Sequence, residues 1–159
     1  MANISETQGV IRIENEEIEN KLIAFFNQTT GKFPYGFEIM EDFGNHYHEF
    51  IGAGRWSFLN TLEDLKNALF DPFENNKLSQ EIEELKAYMK QKPIKLEFTY
   101  VDWEEGCFDA IADEIVEIKL YVNDKNEVQQ ETNILQQDEI EANHQNLEEY
   151  DLGITNSVM

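Results

Sequence analysis

The chain has 159 residues, with 33 Asp and Glu against 12 Lys and Arg, a formal net charge of -21. That balance excludes attachment to a phosphate backbone or an anionic membrane surface by charge attraction, because both need surplus Lys and Arg. No apolar run approaches the ~20 residues that span a bilayer. The start, Met1-Ala2-Asn3-Ile4-Ser5-Glu6, lacks the basic and apolar parts of a secretory signal, and Cys107 has no second cysteine to pair with. A cytoplasmic setting is therefore expected.

Aromatic residues make up 12% of the chain and apolar residues 41%, enough to fill a core. Val10-Ile11-Arg12-Ile13 is a β-branched run that predicts a first strand. Asn15 stands as an N-cap, and Glu16, Glu17 and Glu19 favour a helix start through the macrodipole. Ile18, Leu22, Phe25 and Phe26 recur on one helical face, until Thr29-Thr30-Gly31 and Pro34 end it.

From Tyr35 to Phe58 the pattern predicts two strands joined at Gly44-Asn45. Phe37 and Ile39 share one face of the first, Glu38 and Met40 the other. The second runs from Tyr47 to Phe58, and its Gly52 and Gly54 predict a bulge or close backbone approach that lets Trp56 pack. Thr61 with Asp64 fits a helix-start pattern ahead of Leu62, Leu65, Ala68 and Leu69, and Asp71-Pro72 breaks the helix. Ser79 caps a further segment with Ile82, Leu85, Tyr88 and Met89 on one face, closed by Pro93.

Ile94, Leu96, Phe98 and Tyr100 alternate with Lys95, Glu97 and Thr99 as a half-buried strand. Asp102-Trp103-Glu104-Glu105-Gly106 reads as a turn, Cys107 to Ala112 as a strand and Val116 to Val122 as the last strand. Asn123-Asp124-Lys125 then closes the sheet. The expected organisation is an α+β domain over 1–124 and an acidic, Gln/Asn-rich tail over 125–159, flexible or partly helical. Residues 96–159 carry a net charge of -15, and 126–159 hold eight acids with no Lys or Arg.

The order β-α-β-β-α-β is that of a ferredoxin-like, two-layer antiparallel sheet with helices on one face, here with added C-terminal strand. Gly52-Ala53-Gly54-Arg55-Trp56-Ser57-Phe58, and Leu96-Glu97-Phe98-Thr99-Tyr100 followed by Glu104-Glu105-Gly106-Cys107-Phe108, add to this. Over roughly 35–122 the chain resembles uncharacterised ferredoxin-like proteins of phages and mobile elements. The resemblance implies a fold and a mobile-element origin, and it brings no catalytic residues.

Several constellations bear on chemistry. His46-x-His48 in a strand puts two imidazoles on one face near Glu41, Asp42 and Glu49, suitable Zn or Mn ligands, but no third ligand stands out from an ordinary polar hairpin. Gly52-x-Gly54 lacks the third glycine of a phosphate loop, since Ser57 takes its place, and no helix start follows directly. Cys107 has no basic neighbour to activate it and reads as a small core residue. Acids are too abundant for any one pair to signal hydrolysis. No enzyme signature emerges, and no cofactor is expected.

The remaining signal is collective. Asp102, Glu104, Glu105, Asp109, Asp113, Glu114 and Glu117 have no Lys or Arg between them, and Trp103 offers an aromatic anchor. The plain reading is solubility; the functional one is a basic partner. Twenty-one excess charges equal those of roughly 36 Å of duplex, about the ~36 Å diameter of a core this size. In charge the chain resembles acidic DNA mimics of the anti-restriction and anti-CRISPR kind. The expectation is an acidic inhibitor of a defence nuclease or DNA-binding protein, with Asp102 to Glu117 as the partner-binding cluster. An immunity-type neutraliser of a basic toxin is the nearest alternative. A small-molecule or nucleotide-binding module with a pocket of Tyr47, Arg55 and Trp56 is another, and an accessory mobile-element protein a third.

Overall fold

The computed structural model describes residues 4–30, 35–104 and 110–152. Its strands are β1 (Ile4–Ile13), β2 (Phe37–Gly44), β3 (Tyr47–Arg55), β4 (Ile94–Glu104), β5 (Ala110–Val122) and β6 (Val128–Glu141). Its helices are α1 (Glu19–Thr29), α2 (Phe58–Glu63), α3 (Leu65–Phe70), α4 (Ser79–Gln91) and α5 (His144–Glu149). The strands form one sheet in the order β2-β3-β1-β4-β5-β6, with every neighbouring pair antiparallel. The class is α+β. Among the described residues, no helix is long and apolar enough to cross a membrane.

Strand alternation decides which face builds the core. Ile94, Leu96, Phe98 and Tyr100 are buried on one face, and the registers place Phe98 beside Ile11 of β1 and Val116 of β5. Leu22, Phe25 and Phe26 of α1, Leu62, Leu65 and Leu69 of α2 and α3, and Ile82, Leu85 and Met89 of α4 cover that face. Phe37, Phe50, Phe58 and Phe98 meet at centroid distances of 5.4 to 6.3 Å, mostly edge to face. Each such ring contributes about 1.5–3 kcal/mol by burial, and each favourable pair adds about 0.5–1.5 kcal/mol.

The opposite face has a smaller cluster. Val101, Ile111 and Leu152 are buried there, with Trp103, Ile140, Leu147 and Tyr150 packed against them. Helix α5 and the turn after it therefore cover the reverse of the sheet, whereas helices on one face were expected.

Other expectations also change. The sheet does not close at Asn123-Asp124-Lys125. The Asn123 side chain accepts from Lys125 N–H at 3.0 Å and from Glu127 N–H at 2.9 Å, and Asn126 adopts φ 63°. This is the side-chain-directed turn that asparagine favours. It sends the chain back as β6, paired with β5 from Val122↔Val128 to Ala110↔Glu141. Residues 128–141 are thus a strand rather than a flexible tail, and the boundary near 124 falls inside a hairpin.

Strand β1 begins at Ile4, because Ser5 and Thr7 occupy core-face positions that their polarity had concealed. Asp102 to Glu104 continue β4 instead of turning, and β5 is a single strand from Ala110 to Val122. The expected strand start at Cys107 lies outside the described residues.

Neither Asn15 nor Ser79 caps a helix with its side chain. Asn15 is buried and instead donates to Pro93 O and Tyr88 Oη, each at 2.9 Å, and accepts from Lys95 N–H at 2.9 Å. It ties the entry to α1 to the junction of α4 and β4. Gly54 does meet a close backbone, since a Cβ there would lie 1.9 Å from Ser57 O. The β1–β3 register nevertheless runs without a bulge, and Trp56 is 54% exposed rather than packed.

Candidate functional site: an acidic sheet edge

The expected partner-binding cluster separates into unlike parts. Asp102, Glu104 and Glu114 point to the core face and are buried. Thr7 Oγ1 donates to Asp102 Oδ1 at 2.6 Å, and Phe58 N–H, opening α2, donates to Asp102 Oδ2 at 2.7 Å. Burial pushes the Asp102 carboxyl above the usual carboxylate range, and these donors oppose the rise. Tyr100 Oη donates to Glu114 Oε1 at 2.6 Å and Gln137 Nε2 to Glu114 Oε2 at 3.1 Å. Burial also holds the Tyr100 hydroxyl well above the tyrosine range, so it remains a donor. Among the described residues, neither carboxylate oxygen of Glu104 has a hydrogen-bond partner.

Trp103 faces the other way and packs in the reverse-face cluster, its Nε1 buried without a partner among the described residues. It is not a free aromatic anchor. Asp113 and Glu117 are half-buried on the reverse face, and Glu105 and Asp109 lie outside the described residues.

The two histidines do not share a strand face. His46 sits in the β2–β3 turn with φ 71°, and His48 is buried on β3. Both reach one carboxylate of α1: His46 Nδ1 lies 2.6 Å from Glu19 Oε1 and His48 Nε2 lies 2.9 Å from Glu19 Oε2. His46 Nε2 also meets Glu16 at 3.0 Å. Among the described residues, no group of three or more His, Cys, Asp or Glu side chains is placed to hold a metal. Nor do Tyr47, Arg55 and Trp56 converge. Tyr47 and Arg55 stand at opposite ends of β3, roughly 26 Å apart at ~3.3 Å per residue.

What the structure gathers instead is the charge that had been assigned to a tail. Glu127, Glu131, Asp138, Glu139, Glu141, Glu148, Glu149 and Asp151 are exposed on the last hairpin turn, β6, α5 and the turn after it. No Lys or Arg lies within 126–152. Lys119, on β5, comes to 4.0 Å of Glu131.

On the reverse face, the registers set Asp113 opposite Asp138 and Glu97 opposite Glu117. Like charges directly opposed across strands are destabilising. Lys95 and Lys119, set opposite each other in the same register, stand beside Glu97 and Glu117 on this face, and Asp113 and Asp138 lie further along the strands.

Chain-only reading missed β6 because Gln, Asn and acids mask its alternation. The available signal was Asn123-Asp124-Lys125-Asn126, a turn motif with Thr132, Ile134 and Ile140 beyond it.

No protein-family model matches the chain, and no curated protein or solved structure shows significant similarity to it.

Proposed function

We propose that this chain is an acidic inhibitor, of phage or mobile-element origin, that covers the nucleic-acid-binding surface of a basic partner such as a defence nuclease or DNA-binding protein. The observation that carries this reading is the edge of β6 and α5, which contains no Lys or Arg of its own and where eight acids stand on a folded strand, a short helix and their turns. A potential of one sign steers a basic partner and accelerates association. Partner contact is assigned to Glu131, Asp138, Glu139 and Glu141 with Asp113 and Glu117, since Asp102, Glu104 and Glu114 are buried. The strand order supports a ferredoxin-like, two-layer plan, because β1 and β2 run parallel around β3, and β3 and β4 parallel around β1. On that plan β5 and β6 are additions that carry the acidic edge.

A second reading, a neutraliser of a basic toxin at a surface away from its nucleic-acid channel, is favoured by spacing. Strand β6 presents four acids between Glu131 and Glu141, over roughly 33 Å at ~3.3 Å per residue. Duplex DNA has a charge every ~1.7 Å, so β6 alone does not reproduce a phosphate ladder.

Inhibition assays against restriction and RNA-guided nucleases test both readings. A mimic inhibits in proportion to its occupancy, is displaced by competing duplex, and weakens as salt rises from about 50 to 200 mM. Inhibition that duplex does not displace supports the second reading, and binding indifferent to salt overturns both. Lys at Asp138, Glu139 and Glu141 is expected to weaken inhibition at least tenfold, and Lys at Glu81 and Glu83 of α4 to leave it nearly unchanged. Equal losses would remove the special role of the edge.

A further inference from the structure

The two edges of the sheet are finished differently. At β2, the end of α1 closes the edge. Phe37 N–H donates to Thr30 O at 2.9 Å, and Thr30 Oγ1 donates to Phe37 O at 3.0 Å. The Asn27 carboxamide accepts from Ile39 N–H at 2.8 Å and donates to Ile39 O at 3.1 Å. These are the bonds that an adjoining strand would make, so no strand can add along Phe37 to Ile39.

At β6 the described residues leave the edge open. Among the described residues, only Glu141, whose C=O accepts from Asn146 Nδ2 at 2.8 Å, has a backbone partner outside the β5 ladder. The direction of the free groups follows from alternation. Ile13 N–H reaches His46 O and Glu14 N–H reaches Lys95 O, which fixes the side to which each β1 residue points. Carried through the registers of β4 and β5, the alternation turns the N–H and C=O of Thr132 away from β5. Past the irregularity at Ile115/Val116, it does the same for Gln137 and Glu139.

We propose that the β6 edge takes up an extended strand of a basic partner protein, continuing the sheet. This rests on the acidic-edge reading above and names the contact by which it works. The centre of the edge, Thr132-Asn133-Ile134-Leu135-Gln136-Gln137, has no charge, and its Ile134 and Leu135 are 45% and 54% exposed. Glu131 lies on one side of it and Asp138, Glu139 and Glu141 on the other. The matching strand has an apolar or β-branched centre and Lys or Arg at its ends. Main-chain bonds then supply affinity and the side chains specificity. A second copy of this chain matches poorly. Antiparallel pairing about Ile134-Leu135 sets Glu131 of one copy against Asp138 of the other, and in-register parallel pairing sets each acid beside itself.

The test uses the full chain and two synthetic peptides of equal charge. One has a centre of Val and Thr with Lys at both ends; the other has the same lysines with proline at every third position, which prevents strand pairing. Binding is followed by fluorescence anisotropy, and amide hydrogen exchange is followed by NMR. The strand-forming peptide is expected to bind at least tenfold more tightly and to slow exchange at Thr132, Gln137 and Glu139. Thr132→Pro removes one outward N–H while sparing the β5 ladder, since edge strands tolerate proline at such positions. It is expected to abolish the preference, and Thr132→Val to keep it. Should Thr132→Pro fail to fold, the exchange pattern of the unaltered chain decides.

Equal binding of both peptides, with those amides exchanging freely, overturns strand addition but leaves the acidic-edge reading standing. If neither peptide binds at low salt, both readings fall. A salt-promoted dimer that protects the same amides would replace the basic strand with a second copy, and so overturn the assignment of the occupant.

Discussion

Asp102 and Glu104 sit two residues apart on the same face of β4, and their surroundings give opposite expectations. Asp102 holds Thr7 and the first N–H of α2, so Asp102→Ala strands two buried donors and is expected to cost about 1–3 kcal/mol for each. Among the described residues Glu104 holds nothing, and a buried carboxylate without partners is costly. Glu104→Met is therefore expected to raise stability by about 1–3 kcal/mol, read from urea midpoints. A fall on that substitution would show that Glu104 has a partner in solution.

The pH dependence follows from the sign of the Asp102 shift. Its folded pKa is raised, so the folded chain binds more protons than the unfolded chain between the two values. That contribution is complete below the unfolded value near ~3.9 and is lost as pH rises through the folded one. The stability of the unaltered chain, measured relative to Asp102→Asn, should therefore fall as urea titrations move upward from about pH 4. A difference constant with pH would contradict the raised carboxyl.

Among the elements, the edge strands separate folding from exposure. An unsealed edge invites pairing with other chains. The seal on β2 consists of a side chain and a helix end, so it can be removed without touching the core. Asn27→Leu is expected to cost about 1–2 kcal/mol, by leaving both backbone groups of Ile39 unpaired, and to increase self-association measured by light scattering. Unchanged scattering would mean that neighbouring charge alone protects β2. The alternation of β4 and the amphipathic faces of α1 and α4 were readable in the chain, because each buries one apolar face. Strand β6 was not, because Ile134 and Leu135 stay exposed and Gln130 is engaged by backbone: it donates to Leu62 O at 2.7 Å and accepts from Lys66 N–H at 2.9 Å.

At the scale of the whole molecule, 21 uncompensated negative charges repel one another in the folded state. Screening shortens from ~30 Å at 0.01 M salt to ~10 Å at 0.1 M, so much of this repulsion is removable. The melting temperature is expected to rise by several degrees over that range in a calorimetric scan, most of all before a partner binds. A flat response would show that the acids are already neutralised locally. Exposed pairs contribute little to this balance. Glu17, drawn down to about 2 by the Tyr88 hydroxyl, is solvated and screened.

The chain by itself determined its α+β class, most of its strands and helices, the membership of its core and the sign of its surface, because these follow from local periodicity and from counting charges. Only the tertiary structure decided which acids face solvent. Asp102 and Glu114 enter the core face because Thr7, Phe58, Tyr100 and Gln137, distant in sequence, arrive there to bond them. The acids of 127–151 become an ordered edge because a single asparagine-directed turn returns the chain along β5. Both outcomes depend on long-range register, which alternation within one strand does not contain.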